Sequence, residues 1–338
     1  MYETLHCHTT TSDGQLAYLQ VLDACAQNNI SIVAFTDHDA LPNHKVVNQL
    51  LSNKDHPTKW IIGCELSSGW PKEIGGVGSN FHIVGLFVDP FNKEILERNC
   101  KFQEGRIGRM VQMVKNLQNL GFEISADDCL EESGGETIGR PHIVAALKKK
   151  GHNLKITDDL KNKMAKDARN NPELKERYEK MIERGEDQYP YVLFLDTAAY
   201  IPDIYVDFPY YTDLDETVRL IRSAGGVAIL AHWSFSKSKV DEKFIEKLFK
   251  EGRLDGAEIV FGLGVAEKRD EIEQDMKTMR KLTEKWNKLQ SGGADIHKEE
   301  DFKYFVEAKW YVEKTIGLTE RMVKQGKINP QFSSFAVC

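Results

Sequence analysis

The chain has 338 residues, of which 41% are hydrophobic and 29% are charged, and its formal net charge is −7. This length allows one large α/β core with an insertion. The acidic balance supplies no overall basic field for holding long nucleic acid, and no apolar run approaches the roughly 18 residues that a membrane span needs. We therefore expect no membrane association and no stable complex with long nucleic acid.

The N-terminal residues and the cysteines indicate the cellular compartment in which the protein is expected. The first residues contain no basic segment followed by an apolar one, so we expect no secretory signal. The six cysteines are scattered, without the close pairs of a zinc ribbon or the density of a disulfide scaffold. We therefore expect reduced cysteines and a cytoplasmic location.

The first ninety residues alternate strand-like apolar runs with helical patterns. This alternation is typical of βαβ units with a parallel sheet. The predicted strands are Glu3–His8, Ser31–Thr36, Trp60–Glu65 and Phe81–Val88, and the predicted helices are Leu16–Gln27 and Asn43–Leu51.

The pattern becomes helical and highly charged from about residue 92, which indicates an inserted helical subdomain. Strand–helix alternation resumes after the insertion, so we predict a core of residues 1–91 and 205–338 around an insertion of residues 92–204. The later predicted strands are Gly226–Ala231, Leu254–Val260 and a short glycine-containing segment that ends at His297; the later helices are Leu214–Ser223, Asp241–Lys250 and Ala266–Leu289.

Most of the ten histidines stand beside other polar residues at predicted strand ends. Because side chains alternate along a strand, His6 and His8 share one face while Cys7 points away, and the same holds for Asp295 and His297. Two such side chains on one face can hold a metal ion. The other candidate positions are His38 between two aspartates, Glu65, His82 and His232.

Several of these positions also have ordinary structural explanations. A lone histidine such as His82 or His232 is more often a packed, hydrogen-bonded residue than a ligand. The Asp37–Asp39 segment could cap the next helix, and Glu65 could be a surface charge or could bridge two metals. The remaining histidines in polar surroundings are interpreted as surface residues: His44, His56 and His152.

Histidines with carboxylates and no paired cysteines suit Zn²⁺, Mn²⁺ or Fe²⁺. Neighbouring divalent metals lower the pKa of a shared water and stabilise the attacking and leaving oxygens of a displacement at phosphorus. Phosphoester hydrolysis follows from this chemistry, although hydrolysis of an amide uses similar sites.

The motifs around these residues resemble those of the polymerase and histidinol phosphatase (PHP) superfamily. The matching segments are Leu5–Thr9, Ser12–Gly14, Thr36–Asp39, Gly63–Ser67 and Gly293–His297. The resemblance implies a distorted seven-stranded (β/α) barrel that binds two to three divalent metal ions. The ligand sets that it implies are His6, His8, Glu65 and Asp295 for one metal, Glu65, His82 and His232 for a second, and Asp13, His38 and His297 for a third.

The insertion narrows the resemblance to small bacterial phosphoesterases that act on nucleotides. Residues 138–143 read Ile-Gly-Arg-Pro-His-Ile, which is similar to a motif of their helical insertion. The resemblance implies removal of the 3′-phosphate from nucleoside 3′,5′-bisphosphates, and in some members 5′-to-3′ trimming of short RNA. It also implies that Arg140 and His142 bind the substrate phosphate, since a guanidinium binds phosphate bidentately.

The mechanism expected from this resemblance gives catalytic roles to Glu65, His232 and Arg140. Glu65 would hold the metals, Arg140 would neutralise phosphate oxygens, and His232, His142 or a metal-bound water would protonate the leaving oxygen. The alternatives are a phosphatase for another small phosphomonoester, such as histidinol phosphate, and a non-catalytic metal-binding regulatory module.

Overall fold

The computed structural model describes residues 2–75, 81–133, 138–207, 210–261, 269–302 and 317–335. The chain divides into two compact units, here called the sheet unit, Met1–Phe102 with Tyr211–Cys338, and the helical unit, Gln103–Tyr210. The assignment of residues 92–204 as a substrate-capping insertion stays a prediction.

The sheet unit contains a seven-stranded sheet whose strands lie in chain order. Strands β1–β3 are parallel to one another, as are β5–β7, whereas β4 is antiparallel to both of its neighbours. The prediction of parallel strands is therefore wrong for β4. A parallel connection usually needs a crossover helix, and the described part of the β3–β4 connection holds only a 3₁₀ turn at Lys72–Ile74. The strands are β1 Tyr2–Thr4, β2 Ile30–Phe35, β3 Lys59–Ser68, β4 Phe81–Leu86, β5 Val227–Leu230, β6 Gly256–Val260 and β7 Leu289–Gly292.

The segments that follow the first and last strands are hydrogen-bonded to each other. The Leu5 amide donates to the Gly292 carbonyl at 3.0 Å, and the His8 amide donates to the Ile296 carbonyl at 2.8 Å. This pairing is consistent with closure of the sheet into a barrel. The predicted α/β class with seven strands is confirmed.

Alternation along the strands separates two apolar cores. In β2, Val33 and Phe35 pack in the larger core, whereas Ile32 and Ala34 belong to a separate, smaller one. Ile61 of β3 also lies in the smaller core. Since side chains of a strand alternate faces, Glu65 lies on the same face as Ile61, which is the face that bears the candidate site.

The helices of the sheet unit are amphipathic and several begin at an Asn or Asp cap. Asn43 accepts a hydrogen bond from the Val46 amide at the start of α2, so the alternative in which Asp37–Asp39 caps this helix is wrong. These helices are α1 Tyr18–Gln27, α2 His44–Leu51, α8 Leu214–Ser223, α9 Glu242–Lys250, α10 Arg269–Lys285 and α11 Leu318–Lys324, and α3 Lys93–Asn119 contributes to both units.

Several predicted elements have different bounds in the structure. The last strand was expected to end at His297 but ends at Gly292, so Asp295 and His297 lie beyond it. The helix predicted over Ala266–Leu289 ends at Lys285, and Leu289 instead begins β7; residues 266–268 lie outside the described residues. The helix ends because Asn287 adopts a φ of 48°, which is incompatible with a right-handed helix. Strand β1 ends at Thr4, so His6 and His8 lie just beyond it.

The helical unit has its own apolar core. Met113, Leu117, Phe122, Leu147 and Phe194 are among its buried residues. Its further helices are α4 Ala126–Ser133, α5 Arg140–Lys148, α6 Gly151–Asp167 and α7 Pro172–Arg184. Within the part of the chain that the structure describes, no helix is both long and apolar enough to span a bilayer.

Candidate metal centre

The nine predicted ligands converge at one edge of the sheet. The carboxyl ends of parallel strands meet at one edge, and the antiparallel strand β4 begins there, which brings His82 to the same place. His6 and His8 follow β1, Asp13 lies in the next loop, His38 follows β2, Glu65 lies in β3, His82 is in β4, His232 follows β5, and Asp295 and His297 follow β7.

Glu65 lies at the centre of this cluster. Its carboxylate is fully buried. Five histidine nitrogens surround its two oxygens: Oε1 is 2.8 Å from His82 Nδ1 and 2.9 Å from His232 Nε2, and Oε2 is 3.0 Å from His38 Nδ1, 3.2 Å from His6 Nε2 and 3.4 Å from His8 Nε2.

Two aspartates extend the cluster. Asp295 Oδ1 is 3.1 Å from His8 Nε2 and 3.4 Å from His6 Nε2. Asp13 Oδ1 is 3.4 Å from His297 Nε2, and its Oδ2 is 3.7 Å from His38 Nε2. Each predicted ligand therefore has a side-chain nitrogen or oxygen within 3.7 Å of a side-chain nitrogen or oxygen of a different predicted ligand.

Three groups of these side chains could hold a metal ion, because the ligand atoms within each group lie within 4.8 Å of one another. The first group coincides with the first predicted set, the second adds His8 to the third predicted set, and the third shares Glu65 and His82 with the second predicted set. The assignment of residues to individual metals stays a prediction. The groups are His6, His8, Glu65 and Asp295; His8, Asp13, His38 and His297; and His38, Glu65 and His82.

Four buried polar atoms inside the cluster fit a divalent cation. Among the described residues, they have no hydrogen-bond partner, although each faces oxygens or nitrogens of the same cluster. Such atoms are rare in folded proteins unless something else satisfies them, and imidazole nitrogen with carboxylate oxygen is a donor set that divalent metals take. The atoms are His6 Nε2, His8 Nδ1, His38 Nδ1 and Glu65 Oε2.

The electrostatics of the cluster favour a bound cation as well. Burial would raise the pKa of Glu65, but His38, His6 and His82 together hold that pKa well below its ordinary value. Burial would lower the pKa of His38, but Glu65 and Asp13 raise it to about 10. The carboxylates and His38 thus stabilise each other's charged forms, whereas burial and the neighbouring His297 and His38 lower the pKa of His8. Metal binding requires neutral histidine, so a divalent metal would take the place of protons in this cluster.

The cluster is buried on one side and open on the other. The side chains of His6, His8 and Glu65 have no exposed surface, whereas those of Asp13 and His297 are 33% exposed. A small molecule can therefore reach the cluster from the side of Asp13 and His297.

Asp37 supports the ligand loop and was not predicted to do so. Its buried carboxylate accepts hydrogen bonds from the Thr9 amide at 2.7 Å, from the hydroxyls of Thr9 and Ser12, and from the Tyr18 hydroxyl. These bonds fix the loop that carries Asp13.

Asp39 and Arg98 form a second support. Asp39 accepts from the amide and hydroxyl of Ser67, at 2.8 and 2.7 Å, and pairs with the guanidinium of the buried Arg98. This network links the segment after β2, which carries His38, to β3, which carries Glu65. In the sequence Arg98 stands between Glu97 and Asn99 in a charged segment, so no local pattern indicated that it would be buried.

Gly293 shows why a glycine precedes Asp295. A Cβ at this position would lie 2.3 Å from His6 Cβ and 2.4 Å from the His6 amide nitrogen. Only glycine permits the backbone after β7 to approach the segment after β1 this closely. The close approach brings Asp295 beside His6 and His8.

Arg140 and His142 lie in the helical unit, at the start of α5. Arg140 donates to the Leu195 carbonyl at 3.1 Å and forms an ion pair with Asp196 at 3.3 Å. His142 Nδ1 accepts from the Gly139 amide at 2.9 Å. Arg106 and Arg109 line the same small cavity as Arg140, and sequence reasoning did not single them out. The phosphate-binding roles of Arg140 and His142 stay predictions.

Three remaining histidines lie away from the cluster. His44 stacks on Phe91, with ring centroids 3.8 Å apart, and His152 contacts the Gly121 carbonyl. Both are exposed, as expected for surface residues. His56 is half-buried and contacts Asp23.

Comparison with characterised proteins relates the chain to two bacterial enzymes. A 3′,5′-nucleoside bisphosphate phosphatase of Chromobacterium violaceum is 29% identical over 144 residues, 42% of this chain and 48% of that protein. A 5′-3′ exoribonuclease of Salmonella typhimurium is 23% identical over 231 residues, 68% of this chain and 64% of that protein. The chain thus spans about half to two thirds of the length of these relatives.

Among solved structures, an amidohydrolase of Chromobacterium violaceum, with bound sulfate and no metal, has a similar fold. Its TM-score is 0.62 at 23% identity, over 88% of both chains. The family model of the PHP domain matches residues 4–289. These residues include seven of the nine predicted ligand positions, and the other two, Asp295 and His297, follow the matched range. The chain therefore belongs to the PHP domain family.

Proposed function

We propose that this protein is a metal-dependent phosphoesterase that hydrolyses a phosphomonoester of a nucleotide. The observation that carries the proposal is the position of Glu65, whose buried carboxylate lies within 3.4 Å of five histidine nitrogens. A cluster of this composition suits two to three divalent ions of the Mn, Fe or Zn type.

We assign a different role to each part of the cluster. Bound divalent metals would lower the pKa of a water and neutralise phosphate oxygens. Glu65 would be a carboxylate ligand of the metals, and the surrounding histidines would hold their nitrogens in place before substrate arrives, so that little reorganisation is needed during the reaction. His232, 13% exposed, and His142 are the candidate side-chain proton donors to the leaving oxygen.

A nucleoside as the organic part of the substrate is supported by Phe235. This residue belongs to the 3₁₀ turn that follows His232, its ring is packed edge-on against the His232 imidazole at 5.3 Å, and 62% of it is exposed. An exposed aromatic ring beside the reacting centre is a platform on which a base can stack. We propose that Phe235 stacks the nucleobase.

The substrate proposed first is a nucleoside 3′,5′-bisphosphate, which would lose its 3′-phosphate. The relative from Chromobacterium violaceum that bears this name supports the choice. The guanidinium of Arg140 would bind a phosphate of the substrate with His142 beside it, because both lie at the start of α5, where the helix dipole favours an anion.

A second candidate activity is 5′-to-3′ trimming of short RNA. It is supported by the exoribonuclease relative, which matches more of this chain than the phosphatase relative does. The metal chemistry of the two activities is the same, and the difference lies in the length of the nucleic acid that is bound.

The proposal is tested with the full chain loaded with Mn²⁺, by measuring phosphate release from a panel of phosphomonoesters and nucleotide release from a short RNA. The panel contains adenosine 3′,5′-bisphosphate, 3′-AMP, 5′-AMP, histidinol phosphate and a 5′-phosphorylated RNA pentamer, each with and without chelator. We expect chelator-sensitive turnover, fastest on the bisphosphate.

Each other result excludes part of the proposal. Preferred cleavage of histidinol phosphate would support phosphoesterase activity but contradict the proposal that the substrate is a nucleotide. Preferred release of nucleotides from RNA would favour the exonuclease. No turnover with Mn²⁺, Fe²⁺ or Zn²⁺ would contradict the enzyme and favour a metal-binding regulatory module.

A further inference from the structure

Glu258 is a buried carboxylate that neither the motifs nor the candidate metal groups include. It lies in the middle of β6, Gly256–Val260, where every residue is buried, and only 1% of it is exposed. A charge in such a place is costly unless strong hydrogen bonds compensate for the lost water. Its partners therefore indicate why it is there.

Both oxygens of Glu258 contact residues of the candidate metal centre. Oε1 is 2.7 Å from His6 Nδ1, and Oε2 accepts a hydrogen bond from the backbone amide of His232 at 2.7 Å. One side chain thus holds two histidines that are far apart in the sequence.

The contact with His6 determines which ring nitrogen faces the cluster. A carboxylate can only accept, so His6 must carry its proton on Nδ1. The other nitrogen, Nε2, then presents its lone pair 3.2 Å from Glu65 Oε2 and 3.4 Å from Asp295 Oδ1. A carboxylate on the outer nitrogen is the arrangement that orients histidine ligands and increases their basicity.

The contact with His232 acts on the backbone instead. His232 has φ 25° and ψ 58°, in the left-handed region that costs free energy for a residue with a side chain. The hydrogen bond from its amide to Glu258 holds this conformation, which directs His232 Nε2 to 2.9 Å from Glu65 Oε1. Glu258 therefore places one histidine at each oxygen of Glu65.

We propose that Glu258 is a positioning residue that fixes the His6 tautomer and the His232 backbone, so that both imidazoles meet the metal around Glu65. The expected effect of Glu258 on turnover rests on the proposed function. The expected effect of Glu258 on metal binding does not depend on the substrate. Glu258 would touch neither metal nor substrate.

The test compares Glu258→Gln with a matched buried carboxylate, Glu3→Gln. Glu3 is 5% exposed and accepts hydrogen bonds from the Leu318 and Thr319 amides at the start of α11, so its loss is a comparable structural change away from the cluster. Metal affinity is measured by titrating the chelator-stripped full chain with Co²⁺, whose visible absorption spectrum reports the ligand geometry. Turnover is measured on adenosine 3′,5′-bisphosphate.

We expect Glu258→Gln to bind Co²⁺ roughly 10- to 100-fold more weakly, which is the usual effect of removing a supporting partner of a metal ligand, and to change the absorption spectrum. kcat should fall with little change in KM. Glu3→Gln should be less stable to heat but should keep the wild-type spectrum and affinity. A folded Glu258→Gln protein with wild-type Co²⁺ affinity and spectrum would overturn the proposal.

A second measurement keeps the proposal testable if Glu258→Gln does not fold. In the wild-type chain with ¹⁵N-labelled histidine, the His6 ring should give a strongly hydrogen-bonded Nδ1–H signal, assigned by its absence in His6→Gln. A His6 ring protonated on Nε2 alone would overturn the proposal. If Glu258 variants lose metal while the wild-type chain cleaves no phosphomonoester, the positioning role stands and the proposed function falls.

Discussion

The candidate metal centre has a buried half and an exposed half, and the two are built differently. His6, His8 and Glu65 have no exposed side-chain surface, while Asp13, His297 and Asp295 are 33%, 33% and 29% exposed. The buried half is surrounded by hydrogen-bonding partners such as Glu258, whereas the exposed half contacts the solvent that substrate must displace. We infer that the buried half holds metal tightly and that the exposed half serves exchange and substrate.

The largest effect is expected for Glu65→Gln. This change removes the negative charge of a carboxylate that belongs to two of the three candidate metal-binding groups. Phosphate release should fall by about a thousandfold, the upper end of the effect of removing one preorganised electrostatic group. Bound divalent metal, measured by elemental analysis, should largely disappear. Glu3→Gln is the matched control, and wild-type metal content in Glu65→Gln would contradict the central position of Glu65.

A large effect on stability is expected for Arg98→Met, which removes the cation paired with the buried Asp39 carboxylate. Breaking a buried pair on one side costs about 3 kcal/mol or more, and the free energy of unfolding in urea should fall by that amount. The control is Arg219→Met, which breaks an exposed pair with Glu94 and should cost no more than about 1 kcal/mol. Equal losses in the two variants would show that the buried pair adds no stability.

Candidate ligands of both halves were predicted from short motifs near strand ends, such as His6 and His8 in the buried half and Asp295 and His297 in the exposed half. Residues near the carboxyl ends of neighbouring parallel strands lie close together at one edge of the sheet. Glu258 was not predicted, because a single acid in an apolar strand gives no spacing from which to infer a partner. Its partners, His6 and His232, are distant in the sequence and meet it only through the order of strands.

In the fold, too, features that depend on neighbouring residues were predicted more readily than features that depend on residues far apart in the sequence. Apolar runs that alternate with helical patterns predicted the strands, but the direction of β4 depends on the length and content of its connection. The end of α10 depends on Asn287, whose positive φ is common for asparagine, so this end carried a local signal that the predicted bound at Leu289 did not use. Nothing in local spacing relates Arg106 and Arg109 to Arg140, since they belong to different helices.

The exposed half is tested by Asp13→Ala. Phosphate release should fall by about a hundredfold, comparable to the larger effects of changes around metal ligands, because Asp13 belongs to one of the three groups. The variant should keep more bound metal than Glu65→Gln does. Asp159→Ala, at an exposed position of α6, should behave as wild type. If Asp13→Ala lost as much metal as Glu65→Gln, the two halves would not be distinct.

Recognition of the substrate phosphate is tested by Arg140→Ala. A hydrogen bond to a charged group contributes about 1.5–3 kcal/mol, so kcat/KM for adenosine 3′,5′-bisphosphate should fall by roughly 10- to 150-fold, without loss of bound metal. Arg184→Ala, exposed at the end of α7, is the matched control in the same unit. Unchanged kcat/KM in Arg140→Ala would remove this residue from the proposed site.

The smallest effect is expected for Phe235→Ala. Stacking of a base on an aromatic ring contributes about 1–3 kcal/mol, so KM for adenosine 3′,5′-bisphosphate should rise by roughly tenfold. Ribose 3,5-bisphosphate has the same phosphates but no base and provides the internal control, because its turnover should be the same in the variant and the wild type. A similar loss on both substrates would indicate a structural role through His232.

The central claim is that divalent metal bound around Glu65 is required for phosphoester hydrolysis. It is tested most directly by adding Mn²⁺ stepwise to the chelator-stripped full chain and measuring bound metal and phosphate release in the same samples. Release from adenosine 3′,5′-bisphosphate should rise with metal occupancy and level off at two to three ions per chain. Full release from chain that holds no metal would contradict it.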